Sequence, residues 1–441
     1  MTLDETYART LEGIPKQKSQ HAHRLFQCLI AAIRPLHVEE LAEVFAIGFD
    51  LGVTRNYMEG WRPENPEEAI LSACSTLIAV IRDERGSKIV QFSHFSVKEF
   101  LVSERLRTFE VGDIRDFHIQ LDAAHTILAQ ACLTVLLQLD EKIDKKRIAT
   151  YPLALYAAQH WLNHAKHEDV ASQFQDAMEQ LFDPRKPYLA SWVWIHNMDG
   201  VRRSINDLED HPSPPKATAL YYAASCGLSE LMEYLISTRG EDVNAKCGVR
   251  GTPLHVASRN GHLNAVSLLL DHGADLNMTD DRERTALCAA YVGRHLEVMR
   301  LLLGRGATAD VHYDSYGLLT HDASYGGRVD AIRLLLQHNA NVNATSPRTK
   351  TPLHWAAEYG QANVAEVLIE HGADINALSD RGTPLGSASL YGCLEVARIL
   401  LEHGADVHIR NPSGRTPFRT ATLLQHVEIA QLLLEYGAKK E

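Results

Sequence analysis

The sequence lacks the features that mark a secreted, disulfide-bonded or membrane-spanning protein. Its 7 cysteines lie far apart and form no C-x-x-C pair, so we expect reduced thiols in the cytoplasm. No apolar run approaches the length that a transmembrane helix needs. Acidic Asp4 and Glu5 stand where a signal peptide would be basic. We therefore predict a cytoplasmic protein without membrane insertion.

Concentrated basic charge is also lacking. The chain of 441 residues has 44 Lys and Arg against 56 Asp and Glu, which gives a formal net charge of −12. Because binding to a phosphate backbone needs concentrated positive charge, this balance argues against nucleic acid as the partner.

The sequence contains no recognisable catalytic motif. It has neither a G-x-S-x-G nucleophile elbow nor a His-Glu-x-x-His zinc motif. His160, His164 and His167 are spaced to share one helix face, but a tetrahedral metal site needs a further suitably placed ligand. We predict no enzyme activity, no catalytic residue, no metal and no cofactor. The competing hypothesis is an enzyme that uses these histidines or a thiol, and it requires stoichiometric metal or loss of activity on His164→Ala.

A strong internal repeat occupies the second half of the chain. A motif of the TPLHVA type recurs at intervals of 32 to 34 residues, and a second motif of the LLEHGAD type recurs late in several units. The first motif starts at Thr218 (TALYYA), Thr252 (TPLHVA), Thr285 (TALCAA), Leu318 (LLTHDA), Thr351 (TPLHWA), Thr383 (TPLGSA) and Thr416 (TPFRTA).

These motifs resemble ankyrin repeats, which have a T-P-L-H-x-A signature and a period of about 33 residues. The Thr can cap a helix, the Pro after it needs no N–H donor, and a Gly nine residues on, such as Gly261, can end the helix. Paired helices of this kind bury their apolar faces only by stacking on neighbours. We predict seven ankyrin repeats over 216–441, with a structural role for the signature histidines His255, His321 and His354.

Two repeats depart from the pattern. Repeat four begins with Leu318 instead of Thr, and it has Asp322 where other repeats have Val256 or Trp355. This indicates a weak repeat that opens locally, and the alternative is a polar recognition point or hinge. The last repeat ends in a polar segment, which suits a terminal capping repeat, and a truncated array would look similar.

The ankyrin resemblance implies binding at the hairpin tips before each Thr and at outward positions of the first helices. We predict a protein partner of unspecified identity, because Tyr and Arg are frequent interface anchors. The candidate residues are Met278, Asp280, Arg282, Tyr313, Tyr316, Tyr325, Arg348, Lys350, Tyr359, Leu378, Asp380, Arg381 and Tyr391. Tyr325, Tyr359 and Tyr391 recur at spacings of 34 and 32, which places them in neighbouring rows. Ordinary packing between adjacent repeats is the alternative explanation.

The first 110 residues alternate helical and hairpin patterns. Residues 84–87 (ERGS) form a turn, and the alternating segment 88–92 after it has the pattern of a strand. Ser96 followed by Glu99 is a capping-box pattern that announces a new helix. Helices, a two-stranded wing and a further helix together predict a winged helix in 1–110.

Segments 3–15, 34–47 and 91–101 resemble the winged helix that follows the ATPase core in NACHT-type signalling proteins, especially fungal NACHT–ankyrin proteins. The last segment, QFSHFSVKEFL, is similar to their F-x-H-x-[ST]-x-x-E-[FY] stretch, in which the His contacts the β-phosphate of ADP. The resemblance implies this contact, or a relic of it, for His94; a hydrogen-bonded structural His is the alternative. No G-x-x-x-x-G-K-[ST] phosphate loop occurs in the chain. His94 can therefore meet ADP or ATP only with an ATPase core that this sequence lacks.

The remaining segments connect these two parts. The region 111–209 has the Ala- and Leu-rich composition of packed helices and resembles the helical connector of the same family. The segment 210–215 (DHPSPP) is a stiff linker and a domain boundary. The predicted fold is mainly α, with a winged-helix region at 1–110, the connector, and an ankyrin-repeat α-solenoid.

The function that follows from the resemblance is non-catalytic protein–protein interaction. The NACHT likeness implies the sensor and regulatory part of a signalling receptor of the innate-immune type. The alternative is a freestanding ankyrin adaptor or scaffold in which the winged helix is vestigial.

Overall fold

The computed structural model describes residues 2–49, 57–109, 112–167, 170–196, 209–247, 251–314, 317–346 and 349–440. The chain divides into two compact units, Met1–Ala219 and Leu220–Glu441. Both units are mainly helical, and the predicted fold class is confirmed: a winged-helix domain at the N-terminus and an ankyrin-repeat domain after it.

The first unit contains helices and one three-stranded sheet. Its helices are α1 (Leu3–Glu12), α2 (Lys16–Ala31), α3 (Val38–Glu43), α4 (Pro66–Cys74), α5 (Phe95–Val102), α6 (Glu104–Arg107), α7 (Gly112–Arg115), α8 (Leu121–Leu136), α9 (Ala154–Ala165), α10 (Gln175–Leu181) and α11 (Tyr188–His196). Its strands are β1 (Leu36–His37), β2 (Ile78–Arg82) and β3 (Lys88–Phe92).

The three strands form the antiparallel sheet of the winged helix, in the order β1-β3-β2. The turn between β2 and β3 is closed by Asp83, whose side chain accepts hydrogen bonds from the backbone N–H groups of Arg85 and Ser87, at 2.9 and 2.8 Å. Gly86 adopts φ +82° in this turn, a conformation that favours glycine. The predicted wing is confirmed.

The helix after the wing begins differently from the prediction. The N-cap of α5 is His94, whose Nδ1 accepts a hydrogen bond from the backbone N–H of Ser96 at 3.3 Å. The predicted capping box of Ser96 and Glu99 is wrong, because the extended backbone at His94 lets the imidazole reach the amide first. The Ser96 hydroxyl instead bonds His94 Nδ1 at 2.5 Å and the Tyr7 hydroxyl at 2.7 Å.

The connector region packs around the long helices α8 and α9. Trp161, Phe182 and Trp192 are fully buried, and their ring centroids lie 5.4 to 6.5 Å apart. The Trp192 indole N–H donates to the Ala158 carbonyl at 3.0 Å, so this large ring is buried with its polar group satisfied.

The proline-rich linker lies along the connector. The backbone N–H of Lys145 donates to the Asp210 carbonyl at 3.0 Å. Pro212 and Pro214 line a groove of about 550 Å³ together with Leu189. The start of this linker is thus held by the first unit.

Within the described residues from 219 to 435, the ankyrin array shows seven consecutive helix pairs, as the repeat predicts. The pairs are α12 (Ala219–Cys226) with α13 (Ser229–Ser237), α14 (Pro253–Asn260) with α15 (Leu263–Asp271), α16 (Ala286–Gly293) with α17 (Leu296–Gly304), α18 (Leu319–Tyr325) with α19 (Val329–Gln337), α20 (Pro352–Glu358) with α21 (Ala362–Glu370), α22 (Pro384–Tyr391) with α23 (Leu394–Glu402), and α24 (Pro417–Leu423) with α25 (Val427–Glu435). A short hairpin, β4 (His312–Asp314) and β5 (Gly317–Leu318), precedes the fourth pair.

The repeat motif determines where each first helix starts and stops. Thr383 is the N-cap of α22, its hydroxyl accepts a hydrogen bond from the Gly386 N–H at 3.1 Å, and Pro384 follows at the first helical position. Gly392 ends the helix at φ 75°, and a Cβ there would lie 2.8 Å from the His426 ring. Both the backbone conformation and the close approach require glycine.

The signature histidines join each repeat to the next. His255 Nδ1 accepts a hydrogen bond from the backbone N–H of Thr252 at 3.2 Å, and its Nε2–H donates to the Arg284 carbonyl of the following repeat at 3.0 Å. His321 and His354 donate in the same way to the next repeat, both at 2.9 Å. Burial lowers the pKa of His255 and of His354, so both rings stay neutral. Their predicted structural role is confirmed.

Repeat four meets repeat three through polar and aromatic groups. Asp322 accepts a hydrogen bond from the Tyr291 hydroxyl at 2.6 Å. The Arg328 guanidinium lies 4.1 Å from the centre of the Tyr291 ring and donates to the Tyr291 carbonyl at 2.8 Å. The Asp322 carboxylate is thus engaged inside the array, which argues against its use as a recognition point.

The last repeat is less polar than a capping repeat should be. Leu423, Leu424, Val427 and Tyr436 are all exposed. Exposed polar residues, among them Gln425, Glu428 and Gln431, alternate with these apolar ones, so the last repeat has a mixed surface.

Candidate functional site

The predicted partner-binding residues fall into three groups. Tyr316 and Arg348 lie outside the described residues. Asp280 and Lys350 are buried, which departs from the expectation of exposed tip residues. The others are exposed or half-buried: Met278, Arg282, Tyr313, Tyr325, Tyr359, Leu378, Asp380, Arg381 and Tyr391.

Asp280 stabilises its own hairpin tip. Its carboxylate accepts hydrogen bonds from the backbone N–H groups of Arg282 and Arg284, at 2.8 and 2.9 Å, and from the Arg284 guanidinium at 2.9 and 3.2 Å. Partial burial acts to raise the pKa of Asp280, but these hydrogen bonds outweigh it and the pKa is lowered. The ionised carboxylate is therefore already occupied within the turn.

Tyr313, another predicted contact, packs at the junction of repeats three and four. Its ring meets the Tyr291 ring edge-on, with 5.6 Å between centroids. The ring is half-buried, so packing between repeats accounts for much of its surface.

Four aromatic residues on the first helices of repeats four to six, or at the C-cap in the case of Tyr359, form a feature that we call the aromatic ridge: Tyr325, Trp355, Tyr359 and Tyr391. The three tyrosines are 47%, 46% and 43% exposed, whereas Trp355 is buried. Tyr325 meets Tyr359 edge-on at 4.4 Å between centroids, and Tyr359 lies nearly parallel to Trp355 at 6.1 Å. These contacts join Tyr325, Trp355 and Tyr359 into one packed cluster.

An ionic network lies beneath the ridge. We call it the buried network and define it as the buried Lys350 and Glu358 together with the half-buried Arg381. Lys350 is 2% exposed and its ammonium group is in direct contact with the Glu358 carboxylate. Arg381 contacts the other Glu358 oxygen at 3.3 Å. The Lys350 ammonium also lies 4.5 Å from the centre of the Trp355 ring, so it joins the network to the ridge.

The network also positions Tyr391. Arg381 donates to the Tyr391 hydroxyl in a short hydrogen bond. Burial, followed by hydrogen bonding to Glu358, raises the pKa of Tyr391, so the hydroxyl remains protonated. Arg381 thus connects one exposed ring to the buried pair.

Two members of this site, Trp355 and Glu358, were not among the predicted contacts. Trp355 and Tyr359 are four residues apart, and this spacing puts them on one helix face; that signal is present in the sequence. The burial of Lys350 has no comparable signal, because a lysine at a hairpin tip is ordinarily solvated.

His94, the candidate nucleotide contact, lies at the surface of the first unit. Its imidazole caps α5 through Nδ1, and its ring lies 4.4 Å from that of Phe95, which is also exposed. The hydrogen bonds to Ser96 give His94 a structural role in the chain as it stands.

The connector histidines do not assemble as the metal hypothesis requires. His164 is fully buried, with Nδ1 2.9 Å from His125 Nδ1 and Nε2 2.9 Å from the Tyr156 hydroxyl. His167 instead faces Asp122, at 2.8 Å. In the parts of the chain that the structure describes, no group of three or more His, Cys, Asp or Glu side chains is arranged to hold a metal ion.

Two further features bear on function: the pKa values of the buried thiols, and the length and apolar character of the helices. Burial raises the pKa of the Cys28 thiol to about 12, and it also raises that of Cys132 and Cys288, the opposite of what an activated nucleophile needs. Among the helices in the described ranges, none is both long and apolar enough to cross a bilayer.

Comparisons with known families identify both units. The family model described as "Ankyrin repeats (3 copies)" matches residues 220–315 and 317–379, and one described as "Ankyrin repeats (many copies)" matches 368–421. The family model "GPI inositol-deacylase, winged helix domain" matches residues 8–112. The chain therefore contains ankyrin repeats and a winged helix of that type.

Similar proteins cover the chain only in part. The azaphilone pigments biosynthesis cluster protein L of Monascus ruber is 30% identical over 289 residues, which is 62% of this chain and 60% of that protein. Ankyrin repeat and SOCS box protein 12 of Mus musculus is 40% identical over 62 residues, 14% of this chain and 20% of the relative. The palmitoyltransferase AKR1 of Lachancea kluyveri is 35% identical over 82 residues, 18% of this chain and 11% of that enzyme. The matches thus span 60% or less of these relatives.

Two solved ankyrin structures are similar to the chain. The ankyrin repeat domain of human ASB11 has 27% sequence identity and a TM-score of 0.44, and it covers 50% of this chain and 99% of that domain. The ankyrin repeat domain of Bcl-3 has 26% identity and a TM-score of 0.46, and covers 49% of this chain and 99% of that domain.

Proposed function

We propose that this chain, which carries a winged helix followed by ankyrin repeats, recognises a protein partner through the aromatic ridge and the neighbouring hairpin tips. Ankyrin repeats support a protein–protein interaction module. The observation that favours the ridge as the contact surface is that three tyrosines stay exposed while neighbouring side chains contact each of them: Trp355 packs near Tyr325 and Tyr359, and Arg381 bonds the Tyr391 hydroxyl. Exposed aromatic rings held in place lose little freedom on binding and are frequent interface anchors.

Affinity capture with ridge variants tests this proposal. We expect Tyr359→Ala together with Tyr391→Ala to reduce the recovery of partners captured by the wild-type chain at least tenfold. The matched control is Tyr234→Ala, which changes a half-buried tyrosine on α13, away from the ridge, and should leave recovery unchanged. Undiminished capture of every partner by the double variant would exclude these tyrosines as anchors.

We further propose that the chain acts as the sensor and regulatory part of a NACHT-type signalling receptor in the cytoplasm. The order of winged helix and ankyrin repeats supports this role, as do the sequence likeness around His94 and the wide spacing of the cysteines along the chain. In this role an ATPase core would supply the nucleotide, and His94 would approach its phosphate. A freestanding adaptor is the second candidate, in which the winged helix and the ankyrin repeats act without a nucleotide-binding core.

Mapping the 5′ end of the transcript separates the two candidates. An upstream, in-frame phosphate-loop motif would support the receptor. A stop codon directly before Met1 would support the adaptor, and it would remove the proposed nucleotide role of His94.

A further inference from the structure

We propose that the aromatic ridge and the hairpin tips of repeats six and seven bind an acidic, extended segment of the partner protein. This inference rests on the proposed function, because it specifies the chemistry of the partner that the same surface recognises. Three observations carry it: the occupancy of the ridge by the protein's own cation, the charge of the adjacent tips, and the arrangement of the exposed tyrosines.

Two groups at the ridge that could attract a positively charged partner, Trp355 and Glu358, are already occupied by cations of the protein itself. An aromatic ring attracts cations at its face, and the Lys350 ammonium already lies 4.5 Å from the centre of the Trp355 ring. The Glu358 carboxylate beside it contacts both Lys350 and Arg381, so its negative charge is neutralised within the fold. A basic segment would find neither a free ring face at Trp355 nor a free carboxylate at Glu358.

The tips next to the ridge carry an excess of positive charge. The segments 378–382 and 409–415 contain three arginines and one acidic residue, Asp380. Arg410 and Arg415 are exposed, and the Arg381 side chain is 37% exposed. The whole protein has a net charge of −12, so this concentration of arginine reverses the sign of the charge locally.

The ridge and the tips together suit an extended segment. Tyr325, Tyr359 and Tyr391 come from three consecutive repeats, and the array therefore presents them one after another. Arg381 contacts the Tyr391 hydroxyl, which places a cation directly beside an exposed ring. A segment that alternates carboxylates with apolar side chains can pair with the arginines while it packs on the tyrosines.

Selection from a library of random peptides of about twelve residues, displayed on phage and applied to the full chain, tests the proposal. We expect the selected peptides to be enriched in Asp and Glu relative to the unselected library and depleted in Lys and Arg. A selected peptide, labelled with fluorescein, should bind in an anisotropy titration, and its Kd should rise as salt is added, because exposed charges are screened.

Charge-reversal variants then localise the binding. Arg381→Glu should raise the Kd of the selected peptide at least tenfold. The double variant Arg410→Glu, Arg415→Glu should do the same while leaving the buried network intact, so it tests the proposal even if Arg381→Glu disturbs folding. The control is Arg398→Glu in the second helix of repeat six, whose side chain is 45% exposed and should leave the Kd within twofold of wild type.

The outcomes separate this inference from the proposed function. Selected peptides that are basic or uncharged, or acidic peptides that bind the arginine variants as tightly as wild type, would overturn the acidic-segment inference and leave protein recognition intact. A selection without any enriched peptide would oppose both.

Discussion

Lys350 and Glu358 form a buried ion pair whose two members are not equivalent. Among the described residues, Lys350 contacts this one carboxylate, whereas Glu358 contacts both Lys350 and Arg381. A buried pair stabilises a fold only when it is complete, because removal of one member leaves an uncompensated charge in a poorly solvated site. The two possible single substitutions therefore have different consequences.

We predict that Glu358→Gln lowers the free energy of unfolding by about 3–5 kcal/mol, because it leaves the 2% exposed Lys350 without its carboxylate. Lys350→Met should cost less, since Glu358 keeps Arg381 as a partner. Urea denaturation of the three proteins measures both changes. Equal losses of unfolding free energy in Glu358→Gln and Lys350→Met would contradict the proposed difference between the two members of the pair.

His164 couples the stability of the first unit to pH. Burial, followed by the charge of His125, lowers the pKa of His164 to about 3. An unfolded chain with an ordinary histidine pKa near 6.5 takes up a proton before the folded chain does. The stabilising contribution is complete above about pH 6.5 and is lost as the pH falls from there towards 3.

We predict that this one histidine lowers the free energy of unfolding by about 1.4 kcal/mol between pH 7.5 and 5.5. In His164→Gln the amide can still bond Tyr156 and His125, but it does not titrate. The difference in the free energy of unfolding between pH 7.5 and pH 5.5 should therefore be smaller in the variant by about that amount. Urea denaturation monitored by tryptophan fluorescence reports on this region, because Trp161 and Trp192 lie in the connector. An unchanged pH dependence in the variant would exclude His164 as the source.

At the scale of the helix, two glycines in first helices have opposite roles. Gly386 lies within α22, and a Cβ there would meet only the Thr383 hydroxyl at 3.6 Å, an ordinary contact. Gly293 ends α16, and a Cβ there would lie 2.2 Å from the Arg259 carbonyl oxygen of α14. Gly386 thus lowers the stability of its helix without a packing reason, whereas Gly293 permits α14 and α16 to approach each other.

We predict that Gly386→Ala raises the free energy of unfolding by about 0.5–1 kcal/mol, because alanine has less freedom to lose in a helix. Gly293→Ala should lower it by about 1–3 kcal/mol through the backbone clash. Thermal unfolding followed by circular dichroism measures both. A lower free energy of unfolding in Gly386→Ala would contradict the conformational cost that we assign to Gly386 in the helix.

The sequence was sufficient to predict the ankyrin helix pairs and the wing hairpin, but not strand β1, the hairpin of β4 and β5, or the polar contacts between elements. The repeat period predicted all seven helix pairs, and the turn at 84–87 predicted the wing, because these depend on local residue chemistry. The predicted capping box of α5 was wrong, since His94 competes with Ser96 for the N-cap position and only the backbone direction decides between them. The exposed ridge tyrosines lie on helix faces that spacing predicts. The burial of Lys350 depends on Glu358 and Trp355, which meet it only in the folded array.

At the scale of the whole array, each repeat packs on its neighbours, so its stability depends on the individual junctions. The histidine bridges join repeats two to three, four to five, and five to six. Between repeats three and four, Cys288 replaces the histidine, and its thiol reaches the His312 carbonyl only at 3.5 Å. Tyr291 and Asp322 carry the connection there, beside a groove of about 400 Å³.

We predict that the array opens first at this junction and that Tyr291→Phe makes the opening more frequent. The substitution removes the hydroxyl donor from the Asp322 carboxylate at 2.6 Å, and hydrogen bonds to charged groups contribute about 1.5–3 kcal/mol. Native-state hydrogen exchange should show faster exchange of the α16 and α18 amides in the variant, with little change in α20 and α22.

Tyr325→Phe is the matched control for this prediction. It removes a hydroxyl from an exposed ring on α18 and should leave the exchange pattern unchanged. If Tyr291→Phe accelerates exchange equally in all seven repeats, the array opens as a single cooperative unit and the junction between repeats three and four has no special weakness. If only α16 and α18 respond, the polar contact between Tyr291 and Asp322 is what keeps the two parts of the array together.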